Sequence, residues 1–141
     1  MDNGIPIFPA GVLKIYQNPN PPIIPDIDDF DYSKQGGGNP DSTQFSSENP
    51  NIVDSKGLDD LKVWFEECIK DYFDNVMTLA YKEFWIHESW INKSRPNSSQ
   101  SMHNHSNSLI SGVYYIESTP NHPPLLFEKV AYNADPFISL R

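Results

Sequence analysis

Two histidines one residue apart, His103 and His105, stand in the polar stretch "SSQSMHNHSNS", directly before the apolar run "SLISGVYYIE" at 108–117. In an extended chain, residues i and i+2 point to the same face with Cα atoms about 6.5 Å apart. Two imidazoles placed in this way can converge on one metal ion through metal–nitrogen bonds of about 2.1 Å. The same spacing also suits a polar turn carrying two solvated imidazoles. Position adds weight to the metal reading, because a strand following the pair can hold it rigidly while the adjacent loop admits a ligand.

Other chemistry-bearing residues point to less. His122 sits among prolines in "TPNHPP" and reads as a solvated turn histidine, and His87 lies within the Trp-rich "EFWIHESWIN" as a core or interface residue. Ser111-Gly112 lacks the strand-to-helix turn that exposes a nucleophilic serine. The acidic pairs Asp28-Asp29 and Asp59-Asp60 are adjacent, so their side chains diverge and serve as solubilising charge. Gly36 to Gly38 lack the Lys-Ser/Thr ending of a phosphate-binding loop and read as a linker. Cys68 falls on the apolar face of a helical pattern, which predicts a buried structural thiol rather than a nucleophile.

The elements that must position these residues are legible in outline. The 141 residues suit one domain. Residues 1–57 read as an irregular Pro/Gly-rich arm with one short strand over Val12 to Tyr16, followed by an extended tract through Pro19, Pro21, Pro22 and Pro25. Residues 58–141 read as a helix followed by strands. From Leu58 to about Leu79, Leu61, Trp64, Phe65, Cys68, Ile69, Tyr72 and Val76 recur at spacings of three and four, an amphipathic helix with Asp54 or Ser55 as its cap. The aromatic and β-branched segments 83–92, 108–117 and 123–130 read as strands, and another apolar run begins at Phe137.

Composition excludes some partners. Nineteen acidic against ten basic residues give a formal charge of −9 with no Lys/Arg cluster, so a grip on nucleic acid is not expected. A single cysteine precludes an internal disulfide, the N-terminus has no signal-peptide pattern, and no apolar run approaches the roughly 20 residues that span a bilayer. These features predict a soluble, cytoplasmic protein that contacts no membrane, in which the sequons at Asn92, Asn97 and Asn104 are ordinary polar residues.

"ESWIN" at 88–92, "SQSMHNHSNSLISGVYYIES" at 99–118 and the following "PPLLFEKV" together resemble a small family of 2-oxoglutarate/Fe(II)-dependent oxygenases found in bacteria and in viruses of marine cyanobacteria. "IPIFPAGVL", "GGGNPDSTQF" and the amphipathic helix occupy corresponding places, so the resemblance spans most of the chain. It implies a mainly β fold with α, a double-stranded β-helix (jelly roll) with the long helix packed on its sheet. The four or five strands legible here fall short of the eight or so of a complete jelly roll.

The resemblance also implies Fe(II) and 2-oxoglutarate as cofactors and a small molecule or protein as the substrate to be hydroxylated. Three protein ligands on one side of the iron would leave three positions open for the oxo acid and O2. His103 matches the first ligand. His105 falls where most of the superfamily places a carboxylate, so it either ligates, leaving the site one unit more positive, or sits behind the ligands. Tyr115 shares the parity of the histidines and is the preferred cavity-lining tyrosine over Tyr114, an assignment that a bulge at Gly112 would reverse. Relatives continue past the point matching Arg141 into a segment with the distal histidine and the co-substrate arginine, which residues 1–141 do not contain. A second expectation therefore stands beside the first: a shortened, metal-free β-domain that acts as a structural or binding module, for example in a virus particle, and oligomerises through open sheet edges.

Overall fold

The computed structural model of the protein describes residues 5–8, 11–19, 21, 27–35, 44–96, 98, 100, 103–105, 107–117 and 125–127. The helical pattern beginning at Leu58 becomes α1, Asp59–Tyr72, continued by one π turn over Phe73–Met77. Neither Asp54 nor Ser55 caps it. Ile52–Asp54 form a 3-10 turn of their own, and Ser55 closes a further turn by accepting the Leu58 amide at 3.1 Å. Gly57 takes φ 86° there, a conformation that suits a residue without Cβ, and lets the chain swing into α1. At the other end Thr78 adopts left-handed φ 48° and donates its amide to the Phe73 carbonyl. A C-terminal position of this kind usually belongs to glycine.

The N-terminal segment carries more strand than its composition suggests. β1, Ile5–Phe8, pairs antiparallel with β2, Gly11–Leu13, with an irregularity between Pro6 and Phe8. The expected single strand over Val12 to Tyr16 is thus the second arm of a hairpin that ends at Leu13. β3, Tyr32–Lys34, and β4, Gln44–Ser47, pair with each other, and β4 pairs on its far side with β5, Asn92–Ser94, giving a three-stranded antiparallel sheet in the order β3-β4-β5. "YSK" and "QFSS" lack the apolar alternation of a strand. Pairing makes them strands: Phe45 of β4 stands opposite Lys34 on one side and Lys93 on the other.

The core sits between α1 and the segments leading into the sheet. Ile52, Leu58 and Leu61 are its buried centre, with Phe30, Trp64, Phe65, Ile91 and Tyr114 packed against it. The helix therefore packs chiefly on the 3-10 turn at 52–54 and on Ile91 just before β5. A second group, Phe73, Tyr81 and Phe84, holds the chain leaving α1 in edge-to-face contacts at centroid distances of 5.2–5.7 Å.

Three expected strands come out differently. In 83–92 pairing begins only at its end, with an isolated bridge from Ser89 to Asn51 and then β5. Residues 108–117 and the described part of 123–130, residues 125–127, lie in no strand. Leu109, Val113, Leu125, Leu126 and Phe127 are exposed. Strand-forming composition marks these segments, but a strand exists only where another backbone meets its amides and carbonyls. The described fold is thus mixed α/β, with one α-helix and small antiparallel sheets, and the described residues do not form the expected jelly roll. Arg141, the run from Phe137 and the Gly36–Gly38 linker lie outside the described residues.

Candidate metal centre

The most firmly held backbone near the histidines is Ser89–Asn92. The Ser89 amide donates to the Pro50 carbonyl at 2.8 Å, and the Ser89 carbonyl accepts from the Ile52 amide at 2.9 Å. The Ser89 hydroxyl oxygen accepts from the Val53 amide at 3.0 Å. Two residues on, the Ile91 carbonyl accepts from the Ser47 amide at 2.9 Å, and the Ile91 amide donates to the Ser47 hydroxyl at 3.1 Å. Trp90 stands between these two clamps, half-buried.

On this platform the structure assembles a row of three rings. The Trp90 and His105 centroids are 5.5 Å apart with planes inclined by 35°, a tilted stack. His103 meets His105 edge-on, 4.9 Å away at 78°. Both imidazoles are exposed, and the His105 carbonyl accepts a long hydrogen bond of 3.4 Å from the Ser108 amide. The two histidines singled out by spacing are therefore neighbours in space. Trp90, which sequence reasoning treated as one aromatic among several in a strand, is in ring contact with His105. Its signal lay in "ESWIN", where it is flanked by the two residues whose backbones are fixed.

Two imidazoles of this separation fit one metal ion. With a metal–nitrogen bond of about 2.1 Å, each centroid lies about 3.2 Å from the ion, so adjacent ligands at about 90–110° have centroids roughly 4.5–5.2 Å apart. The observed 4.9 Å falls within that interval. Neutral imidazole nitrogens suit Fe(II) and other first-row divalent ions. Among the described residues no group of three or more His, Cys, Asp or Glu side chains could hold a metal ion. His122 lies outside the described residues. His87 is exposed beside Glu88, with 3.9 Å between imidazole nitrogen and carboxylate oxygen, rather than in a core.

The run after the histidines alternates. Ile110, Tyr114 and Ile116 are half-buried, whereas Leu109, Ser111, Val113, Tyr115 and Glu117 are exposed. Tyr114 is the tyrosine turned toward α1, edge-on to Trp64 at 5.6 Å and to Phe65 at 5.7 Å. Tyr115 is 47% exposed.

A second polar cluster lies along α1, away from the sequence-predicted site. Asp71 accepts from the Lys14 ammonium, from the Tyr16 hydroxyl at 2.7 Å and from the Asn75 amide at 2.8 Å. With Trp64, Glu67 and Cys68, Lys14, Tyr16 and Asp71 line an open groove of about 400 Å³. The hydrogen bonds from Lys14 and Tyr16 hold the Asp71 carboxyl down at about 2. Burial, then the charges of Asp71 and Glu67, push the Cys68 thiol up to about 11. A thiol so shifted stays protonated at neutral pH, and Cys68 is half-buried rather than fully buried as its place in the helical pattern predicts. Burial first, then the bond to Asp71, raise the Tyr16 phenol well above its ordinary value.

No helix among the described residues is long and apolar enough to cross a membrane. No curated protein and no solved structure matches the chain. Residues 88–135, a stretch that contains Trp90, both histidines and Tyr115, match the model of a family described as "Putative 2OG-Fe(II) oxygenase".

Proposed function

We propose that the protein is a 2-oxoglutarate/Fe(II)-dependent oxygenase of the hydroxylase type in which His103 and His105 hold the iron. The observation that carries this reading is the 4.9 Å approach of two imidazoles inside the stretch that matches the oxygenase family. Fe(II) with 2-oxoglutarate and O2 supplies, when bound, C–H hydroxylation coupled to decarboxylation of the oxo acid. His103 and His105 would each give a neutral imidazole lone pair from one side. An imidazole at 105, where a carboxylate is usual, leaves the pair uncharged and so favours a dianionic co-substrate. The Tyr115 hydroxyl would donate a hydrogen bond to that co-substrate. The substrate is a small molecule or a protein; the formal charge of −9 disfavours nucleic acid and other polyanions.

Anaerobic addition of Fe(II) and 2-oxoglutarate to the full chain should produce a weak visible charge-transfer band, and His103→Ala should abolish it. Succinate should then accumulate when O2 is admitted. A chain that binds iron and oxo acid without a band, or a His103→Ala variant with the wild-type band, overturns the assignment.

A second reading is favoured by a different observation. Leu109, Val113, Leu125, Leu126 and Phe127 are large apolar side chains between 45% and 72% exposed. A structural or binding module that associates through this surface, with itself or in an assembly, would account for it.

A further inference from the structure

Resting on the iron-centre reading, we infer that Trp90 is a positioning residue: its indole fixes the orientation of the His105 imidazole and thereby prepares the two-histidine site for a divalent ion. The argument begins with what anchors each ring. Trp90 is held through its chain neighbours on both sides, by three hydrogen bonds at Ser89 and two at Ile91 to the stretch 47–53. His105 belongs to an exposed segment whose backbone bond to Ser108 is long at 3.4 Å.

An exposed imidazole otherwise turns freely about χ1 and χ2, and binding a metal would have to freeze those torsions. Stacking at 5.5 Å and 35° removes most of that freedom beforehand. The same His105 ring meets His103 edge-to-face at 4.9 Å, so a restraint on it acts on both members of the pair. A hydrogen-bonding partner behind a ligating histidine usually does this task, and loss of such a partner typically weakens metal binding 10–100-fold. Here an aromatic face fills the role, which makes the effect depend on ring shape and little on hydrogen bonding. Phenylalanine at 90 should therefore substitute, whereas alanine should not.

The test uses the full chain, Co(II) as a redox-stable probe and two readouts. In calorimetric titration, Trp90→Ala should weaken Co(II) binding about tenfold and Trp90→Phe about threefold or less. In a His105→Ala background, Trp90→Ala should have no further effect. In NMR spectra without metal, the His105 ring proton between the nitrogens should lie upfield of that of exposed His87 through the indole ring current. In Trp90→Ala it should move to the His87 position. Wild-type affinity in Trp90→Ala, or an equal loss with and without His105, overturns the inference. Should the wild-type chain take up no Co(II), the iron-centre reading fails, and the ring-current shift alone decides: present, it upholds positioning of His105 by Trp90; absent, it removes it.

Discussion

His105 shows how one residue can be legible in type and illegible in role. Spacing identified it as a partner of His103, and the two rings do meet; its contact with Trp90, fifteen positions upstream, follows only from how the chain returns over residues 47–53. On the proposed iron-centre reading, a carboxylate at that position would add a negative charge to the metal site. His105→Asp should accordingly retain Fe(II) and 2-oxoglutarate binding in the anaerobic band assay while shifting the band, whereas His105→Ala should lose it. Identical spectra for His105→Asp and His105→Ala would mean that position 105 does not touch the metal.

Asp71 makes a pH-dependent contribution at the same scale. Its carboxyl is held at about 2 in the folded protein, against about 3.9 in an unfolded chain. Because the folded value is the lower one, the strap from Lys14 and Tyr16 contributes its full stability above about pH 4 and loses it as pH falls toward 2. The Asp71 side chain is 37% exposed, so solvent screening keeps the effect to roughly 0.5–1 kcal/mol. Urea denaturation should find Asp71→Asn less stable than wild type by that amount at pH 6, with the gap closing near pH 2.5. A constant gap across this range would show that the carboxylate charge is not what holds the strap.

Among the elements, α1 was legible because a repeated spacing of three and four residues overdetermines a helix. Its ends were not. The start depends on Gly57 and the turn closed by Ser55, and the end on a π turn and on Thr78 in a left-handed conformation. Left-handed backbone costs a residue with a Cβ roughly 1–2 kcal/mol, more so when it is β-branched. Thr78→Gly should therefore raise stability by about 1 kcal/mol and Gly57→Ala lower it by about as much, read as shifts in the denaturation midpoint. β3 and β4 escaped sequence reading for the opposite reason. Their three and four residues hold no periodic signal, and long-range pairing with each other and with β5 creates them.

For the whole molecule, the distribution of apolar side chains carries a prediction. The described core is small, centred on Ile52, Leu58 and Leu61, while Leu109, Val113, Leu125, Leu126 and Phe127 are exposed. Leu61→Ala should cost about 2–5 kcal/mol, a large share of a domain's total stability. The exposed set should drive association at micromolar concentration, and Val113→Lys with Leu126→Lys should reduce the sedimentation mass toward that of the monomer. A wild-type chain that stays monomeric at high concentration would remove the assembly reading and leave the oxygenase reading untouched.

By itself the sequence determined the helix, and it brought out the histidine pair and the string within 88–135 that matches a family model, since each rests on spacing or on a local string of residues. Tertiary structure alone decided that 1–57 supplies β1–β4, that Tyr114 rather than Tyr115 faces the helix, and that Trp90 stacks on His105. The physical reason is common to all three: a strand or a ring contact is completed by groups far away in the chain, and nothing in the local residues records which distant group arrives.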